Sequence, residues 1–308
     1  MIEVIRKSKT SGNYIVTTAV GEKYLNPWKK NALPLWEKYA KKYDLGILLV
    51  SEELIGRDSP KWKKIHWQKL LILSELEAHF DFVINMCLLD SDILINPFSP
   101  NIFDNYEEDS VGLISQIKNL PYPHHDCLKR ISFYRHKFYS QDYPLDSAIF
   151  ISLEDLFSYH GLEPQDDQFC SGVMIFNVKN HAAITKSWFY KYDSDVESIT
   201  NGGEEVHVNF EIQSNCKVLW LDYRFQALWI YEMAWKYPFL YEKGNKMFIK
   251  KCIESSLMSN YFLHFAGSWH ESDMWKIDNI FSEYEFIEEY SKYLISPSTG
   301  KPVGMKKP

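Results

Sequence analysis

The sequence predicts an α/β protein whose mixed, mainly parallel sheet is flanked by helices. Strand-like and helix-like segments alternate through the first hundred residues, as they do in parallel α/β sheets. The run at 82 to 89 is almost wholly apolar, which is typical of a strand buried on both faces. With 308 residues, 45% of them hydrophobic, the chain has ample core. We expect one domain over 1 to 296 and a mobile tail over 297 to 308.

The first part of the chain contains three predicted strands separated by two helices. In the helices, apolar residues recur at helical spacing and mark the face that packs on the sheet. In order, the segments are a strand at 13 to 19, a helix at 27 to 43, a strand at 45 to 51, a helix at 65 to 80 and the strand at 82 to 89.

The second part is less regular, and residues 119 to 168 are its least regular segment. A Ser-Gly pair precedes one of the later strands, and glycine there allows a ligand or another backbone to approach closely. The predicted segments are strands at 111 to 114, 173 to 176, 218 to 221 and 261 to 264, and helices at 182 to 192, from 204 onwards, and at 277 to 294.

Two carboxylates, Asp90 and Asp92, follow the apolar strand at once, with Ser91 between them. Open α/β folds bind ligands at the carboxyl ends of their strands. Two neighbouring carboxylates repel each other unless a cation or a proton lies between them. Mg²⁺ and Mn²⁺ favour oxygen ligands and commonly share coordination with substrate phosphates. The pair therefore indicates a metal site.

The cluster His124-His125-Asp126-Cys127 is a second arrangement of metal-ligating residue types. Two adjacent histidines cannot easily turn both rings onto one ion from extended backbone, and no second ligand pair at helical spacing supports them. We therefore favour a variable surface loop, facing the acceptor of a reaction, over a zinc site.

Composition excludes several classes of protein. A net charge of −7 and a pI near 5.8 argue against a broad nucleic-acid footprint. The five cysteines are scattered, without a Cys-x-x-Cys pair, which fits reduced thiols in the cytoplasm. No apolar stretch is long enough for a membrane span. A dinucleotide oxidoreductase is disfavoured because no Gly-x-Gly-x-x-Gly follows the first strand.

Four short motifs in a fixed order resemble the GT-A fold glycosyltransferases that use nucleotide-sugar donors. They are similar above all to the glycogenin-like and xylosyltransferase-like families and to the bacterial galactosyl- and glucosyltransferases of lipopolysaccharide synthesis. The motifs are WQKL at 67 to 70, LDSDILI at 89 to 95, FCSGVMIFN at 169 to 177 and HFAG at 264 to 267. The resemblance implies a Rossmann-like nucleotide-binding part over about 13 to 96 and an acceptor and sugar part over about 97 to 296.

The resemblance also implies roles for individual residues, beginning with the donor. Asp90, Asp92 and His264 would bind Mn²⁺ or Mg²⁺, which would bridge the diphosphate of a UDP-sugar. The other donor-binding residues would be Thr17, Thr18 and Ala19 at the base and ribose, Ser91 and Gly267 by the diphosphate, Ser171 and Gly172 at the sugar, and Lys69 at the phosphate or sugar.

The acceptor of the family is a glycan or another hydroxyl compound. The families often have Asp-Gln where this chain has Glu204-Glu205, near the transferred sugar. They also place a lysine after the His-x-x-Gly element, where this chain has Ser268-Trp269-His270, so a cation from Lys276, His270 or the lysine-rich loop would replace it. Glu205, Glu204 and Asp167 are the candidate catalytic residues, and the resemblance favours retention of the anomeric configuration.

Two other functions stay open at this point. A haloacid-dehalogenase-like phosphatase would use Asp90 as its nucleophile. Such enzymes want a hydroxyl residue shortly after the pair, whereas Ile93 and Leu94 follow here. A non-catalytic nucleotide- or carbohydrate-binding module on the same fold is the other alternative. Loss of a metal ligand would indicate such a module, and all three candidate ligands are present.

Overall fold

This computed structural model describes residues 1–139, 148–200, 203–242, 245–267, 269–278 and 280. The predicted tail at 297 to 308 lies outside the described residues, and so does all but the start of the helix expected at 277 to 294. No helix among the described residues has both the length and the apolar character that crossing a bilayer requires.

A seven-stranded mixed sheet forms the centre of the protein, in the order β1-β3-β2-β4-β7-β6-β8. Of its six strand pairings, β3–β2, β2–β4 and β6–β8 are parallel and the other three are antiparallel. The strands are β1 (Ile2–Arg6), β2 (Asn13–Thr18), β3 (Gly46–Val50), β4 (Asn85–Asp90), β6 (Ser110–Leu113), β7 (Val173–Asn177) and β8 (Lys217–Trp220).

A second, three-stranded sheet extends from the carboxyl end of β4. It consists of β5 (Ile93–Ile95), β9 (Ala227–Leu228) and β10 (Phe262–His264), with β10 in the middle. Strand β10 pairs antiparallel with β5 and parallel with β9. The turn between β4 and β5 therefore connects the two sheets, and it contains Asp92, one of the candidate metal ligands.

Helices cover both faces of the main sheet. They are α1 (Glu22–Pro27), α2 (Leu33–Tyr43), α3 (Ile65–Gln68), α4 (Ile72–His79), α5 (His124–Phe138), α6 (Leu153–Tyr159), α7 (Val178–Lys191), α8 (Val196–Thr200), α9 (Glu205–Asn215), α10 (Trp229–Lys236) and α11 (Lys246–Ser259). A π-helical turn, Trp28–Ala32, joins α1 to α2, and a 3₁₀ turn, Lys69–Leu71, joins α3 to α4.

The core has two parts because successive side chains of a strand point to opposite faces of the sheet. In β4, Cys87 and Leu89 pack with α2 and the small sheet, whereas Met86 and Leu88 pack with α4 and α7. All four side chains are fully or almost fully buried. The prediction of a central strand buried on both faces is confirmed, and so is the mixed α/β sheet flanked by helices.

The central strand is displaced along the chain from the predicted segment. It begins at Asn85 and ends with Asp90 itself, whereas the apolar run predicted a strand from 82 to 89. Residues 80 to 83 form a turn in which the Val83 amide donates to the Phe80 carbonyl, and Phe82 packs on Tyr14 outside the strand. The predicted strand extended into that turn because residues 82 to 84 are also apolar.

Two helices, α5 and α6, lie within 119 to 168, and the prediction of a surface loop for the His124-His125-Asp126-Cys127 cluster is wrong. The His124-His125-Asp126-Cys127 cluster forms the first turn of α5. The buried face of α5 consists of Cys127, Ile131 and Arg135, at a spacing of four residues. Because Arg135 is charged, a pattern of apolar residues alone does not reveal this helical periodicity. Strand β1 was also missed, because Glu3, Arg6 and Lys7 give the N-terminal segment a charged character in spite of Ile2, Val4 and Ile5.

Candidate active site

The pairing of β10 with β5 brings His264 beside the two carboxylates. Asp90 ends β4, and Asp92 lies in the turn that leads into β5. In the antiparallel register of the small sheet, His264 lies opposite Ile93, the residue after Asp92. The backbone amide of Phe265 donates to the Asp92 carbonyl at 3.2 Å, which closes the arrangement. Backbone pairing thus fixes the three side chains relative to one another.

The three side chains form a compact group of metal-ligating type. Nε2 of His264 lies 3.3 Å from Oδ1 of Asp92 and 3.8 Å from Oδ2 of Asp90. One ligand atom from each residue falls within 4.8 Å of the others. Apart from the nearby imidazole, the buried Oδ1 of Asp92 has no hydrogen-bond partner. Two carboxylates, one of them with an unsatisfied oxygen, and one imidazole nitrogen suit a divalent cation.

Glycine at 172 is required by this arrangement. A Cβ on Gly172 would lie 2.3 Å from Cε1 of His264 and 3.0 Å from Nε2 of Gln226. The Gly172 carbonyl also accepts the backbone amide of Asp90 at 2.9 Å. The Ser-Gly pair before β7 therefore makes room for the histidine ring, as the sequence indicated for a close approach.

Lys69, a buried residue of the 3₁₀ turn between α3 and α4, lies between the carboxyl groups of Asp90 and Glu204. Its Nζ lies 2.6 Å from Oδ1 of Asp90 and 3.6 Å from Oε1 of Glu204, and its side chain is 4% exposed. Burial alone would lower the pKa of Lys69, but the carboxylates of Asp90 and Glu204 outweigh it and raise that pKa. The ammonium is therefore charged, and it joins the metal-ligating group to the start of α9.

The same charges act on the two neighbours of Lys69 in the site. Burial would raise the pKa of Asp90, but Lys69 and His264 outweigh burial, so that pKa is lowered. Burial would lower the pKa of His264, but Asp92 and Asp90 outweigh it, so that pKa is raised. Asp90 is thus an anion at neutral pH and available as a ligand.

Two adjacent glutamates begin α9, and their environments differ. Glu204 is 3% exposed and accepts a hydrogen bond from the Ser171 hydroxyl at 2.5 Å as well as facing Lys69. Glu205 accepts a longer bond of 3.4 Å from Gln168. Burial and the charge of Glu204 raise the pKa of Glu205 to about 7. Near neutral pH, both the acid form and the carboxylate form of Glu205 are therefore populated.

A cavity of about 260 Å³, called here the donor cavity, opens in front of the metal-ligating group. Among the described residues, its lining combines two carboxylates of that group with several cationic or ionisable side chains. The lining consists of Thr18, Val20, Lys23, Tyr24, Ile65, His66, Lys69, Asp90, Ser91, Asp92, Gly267, Ser272, Asp273, Trp275 and Lys276.

The structure brings some of the predicted donor residues to this cavity and places others behind it. Thr18, Ser91, Lys69 and Gly267 line it. Thr17 is fully buried within β2, and Ala19 is packed in the core. Asp167 lies elsewhere, where it accepts from the Ser115 hydroxyl at 2.7 Å and faces Lys118 at 3.6 Å.

Other lining residues had little or no signal in the sequence. Of the cations considered for the diphosphate, Lys276 lines the donor cavity, whereas His270 is not among its lining residues. Lys23 and Tyr24 also line it, and their position just beyond the carboxyl end of β2 could have indicated this. Gln226, whose amide nitrogen lies 3.2 Å from Nδ1 of His264, had no recognisable motif.

No family model matches the chain, and no curated protein matches it. Among solved structures it is similar to a glycosyltransferase involved in the glycosylation of the major capsid of PBCV-1, with 11% identity over 86% of this chain and 97% of that one and a TM-score of 0.45. It is similar to the bifunctional glycosyltransferase WbbM, with 12% identity over 92% of this chain and 52% of that one and a TM-score of 0.46.

A third similar structure is the galactosyltransferase LgtC in complex with donor and acceptor sugar analogues. Its identity is 11% over 89% of this chain and 94% of that one, with a TM-score of 0.45. All three structural neighbours are glycosyltransferases, as the resemblance in the sequence predicted. Because the identities and TM-scores are this low, the neighbours assign no chemistry to this chain, and its chemistry has to be argued from its own side chains.

Proposed function

We propose that this protein is a metal-dependent glycosyltransferase that moves a sugar from a nucleotide-sugar donor, a UDP-sugar, to a hydroxyl group of a glycan or another acceptor. The observation that carries this proposal is the group formed by Asp90, Asp92 and His264 in a cavity that also contains lysines. A nucleoside diphosphate carries negative charge that a divalent cation and ammonium groups together can balance.

Asp90, Asp92 and His264 would hold Mn²⁺ or Mg²⁺. Three carboxyl groups, those of Asp90, Asp92 and Glu204, lie around the single ammonium group of Lys69, an arrangement that favours an added cation. When bound, the ion would supply charge stabilisation for the departing diphosphate. Lys276 and Lys23, which line the same cavity, would contribute further positive charge beside the phosphates.

The lining of the donor cavity suggests which residues would contact each part of the donor. Tyr24, which is 51% exposed, and Thr18 would contact the base and ribose, since an aromatic ring suits stacking on a base. Gly267, at φ +99°, would lie against the diphosphate, where a side chain is disfavoured. Lys69, Glu204 and Ser171, which contact one another on the inner side of the metal group, would bind sugar hydroxyls.

We propose that transfer proceeds with retention. The bond between the anomeric carbon and the diphosphate oxygen breaks, the acceptor oxygen bonds to that carbon on the same face, and the acceptor proton passes to the diphosphate. Glu205 would orient the acceptor hydroxyl and stabilise developing positive charge when it is ionised. A pKa of about 7 for Glu205 would make this ionisation occur near neutral pH.

A nucleotide-sugar hydrolysis screen with and without Mn²⁺ tests the proposal. Release of one nucleotide only in the presence of metal, and its loss in Asp90→Asn, would support it. Equal turnover in EDTA would contradict the metal-dependent mechanism. An NMR spectrum of the fresh product decides the stereochemistry, because an anomeric configuration opposite to that of the donor would mean inversion.

The two alternatives make different predictions in the same screen. A phosphatase would release phosphate from p-nitrophenyl phosphate with Asp90 as nucleophile, and Asp90→Asn would abolish that activity. The Lys69 ammonium at 2.6 Å lowers the nucleophilicity of this carboxylate. A binding module would bind a nucleotide-sugar without turnover. The proposed cytoplasmic location is supported by the five cysteines, all of which are free thiols.

A further inference from the structure

A second cavity, called here the side cavity, adjoins the donor cavity and has a volume of about 560 Å³. Gly267 lines both cavities, so the two meet at the loop that follows β10. Glu205 and Cys170 also line the side cavity, while the neighbouring Glu204 and Ser171 form the hydrogen-bonded group beside Lys69. The side cavity therefore opens where a donor sugar would end.

We propose, on the basis of the proposed function, that the side cavity binds the acceptor and selects a neutral glycoside with an apolar aglycone. An acceptor hydroxyl held beside Glu205 would lie at the junction of the two cavities. A volume of 560 Å³ exceeds that needed for one sugar ring and falls in the range of small-molecule sites. The acceptor thus has room for a sugar and a second group attached to it.

The charges of the lining argue for a neutral acceptor. Glu205 is the one carboxylate among the described lining residues of the side cavity, and neither lysine nor arginine is among them. A phosphate or carboxylate on the acceptor would lose water and face Glu205, and the described lining offers it the imidazoles of His124 and His125 but no permanently charged cation. Burial lowers the pKa of His124 and so disfavours its cationic form. The lysines of the site line the donor cavity instead.

The walls of the side cavity argue for an apolar aglycone. Leu128 and Leu228 are among its aliphatic lining residues, and Phe150, Tyr231 and Trp269 are the aromatic ones. Aromatic and aliphatic side chains favour apolar groups and the C–H face of a sugar ring.

Two of these aromatic side chains are held in place by neighbouring residues, one of which, His124, also lines the side cavity. Tyr231 shares a hydrogen bond of 3.2 Å with Nε2 of His124. The guanidinium of Arg135 lies 4.1 Å from the centre of the Trp269 ring, and Nε of Arg135 donates to the buried Glu271 at 3.1 Å. The walls are thus organised before a ligand arrives, which reduces the entropy lost on binding.

The test compares matched acceptors with the donor that the hydrolysis screen identifies. Each candidate sugar is supplied as its p-nitrophenyl glycoside, its octyl glycoside, the free sugar and the 6-phosphate. We expect kcat/KM for at least one of the two glycosides to exceed that for the free sugar by about tenfold, and the phosphate to be used at least a hundredfold less well than that glycoside. The aryl and alkyl arms distinguish an aromatic aglycone from a lipid-like one.

A variant makes the test specific for the side cavity. Leu128→Arg places a cation on a half-buried wall position, and it should lower the ratio of glycoside to phosphate kcat/KM by at least tenfold. Ile199→Arg, an exposed position in α8 outside both linings, should leave the ratio unchanged. A misfolded variant would lose both activities together, and the unmodified protein would then decide the matter.

The outcomes separate this inference from the function on which it rests. If the protein hydrolyses the donor but uses phosphorylated or free sugars as well as the glycosides, the inference is overturned and the proposed function stands. If no nucleotide-sugar is bound or hydrolysed, the proposed function itself fails and takes the inference with it.

Discussion

Asp92 is the proposed metal ligand whose removal should separate metal binding from folding. Its Oδ1 is buried without a hydrogen-bond partner other than the imidazole, and a second carboxylate lies close by. We predict that Asp92→Asn abolishes the rise in melting temperature that Mn²⁺ produces in the unmodified protein, because a ligand that binds only the folded state stabilises it. Without metal the variant should melt no lower, since the substitution removes repulsion. Differential scanning fluorimetry measures both, with the exposed Asp104→Asn as control.

Lys69 makes a different prediction because it carries the compensating charge. Lys69→Met would leave the buried Glu204 and the partly buried Asp90 without an ammonium group. We expect the free energy of unfolding to fall by about 3–5 kcal/mol, the usual cost of removing one partner of a buried ion pair. Urea denaturation in EDTA measures it. Lys61→Met, which breaks an exposed pair with Asp193, should change little. Similar losses in the two variants would contradict this account of the site.

Gln226 is expected to position His264 rather than to contact substrate. Its side chain is fully buried, and its amide nitrogen lies 3.2 Å from Nδ1 of His264 and donates to the Cys170 carbonyl at 3.1 Å. A partner on the far nitrogen orients a metal-ligating imidazole, and its loss typically costs 10–100-fold in metal affinity. We predict that Gln226→Leu weakens Mn²⁺ binding by that factor in an EPR titration. Gln165→Leu is the control, and an unchanged affinity in Gln226→Leu would refute the role.

At the scale of elements, α9 contains both the catalytic candidate Glu205 and His207, a histidine whose pKa is lowered. His207 is 3% exposed and packs against Tyr192, with ring centroids 4.5 Å apart, and against His160 at 5.4 Å. Burial, the neighbouring His160 and Lys191 lower the pKa of His207 to about 4. In the unfolded chain the pKa is near the ordinary 6.5.

The sign of the pH dependence follows from that difference. Above pH 6.5 His207 is neutral in both states, so it adds no pH dependence to stability. As pH falls from 6.5 to 4, the unfolded chain takes up a proton that the folded chain refuses, and stability falls by up to about 3 kcal/mol. Urea denaturation at pH 7.5 and pH 5 should show about 2 kcal/mol of this loss. His207→Gln should reduce it, and an equal loss in that variant would assign the effect to other groups.

The elements also show why sequence reasoning succeeded in some places and not in others. The β4 run and the Asp90–Asp92 pair could be predicted because strand burial and charge repulsion are local properties of consecutive residues. The helix α5 was missed because Arg135 stands on its buried face, and burial of an arginine depends on Glu271, which lies far away in the chain. Likewise, nothing local indicates that Gln226 lies against His264.

At the scale of the whole molecule, the site depends on the meeting of two sheets. The main sheet supplies Asp90 from β4, and the small sheet supplies His264 from β10. Sequence reasoning placed His264 with the aspartates through resemblance, not through any physical signal in the segment 261 to 264. The physical reason is the β5–β10 register, which a single sequence does not encode in a readable form.

The pairing of β10 with β5 has a consequence for the order of events during synthesis. More than half of the chain lies between Asp92 and His264, so a growing chain on the ribosome carries both aspartates long before it carries the histidine. Closing so large a loop is slow compared with forming local helices. The proposed ligand set is therefore complete only once β10 pairs with β5. A cation that needs all three ligands would therefore stabilise the complete folded protein but not the partly synthesised chain.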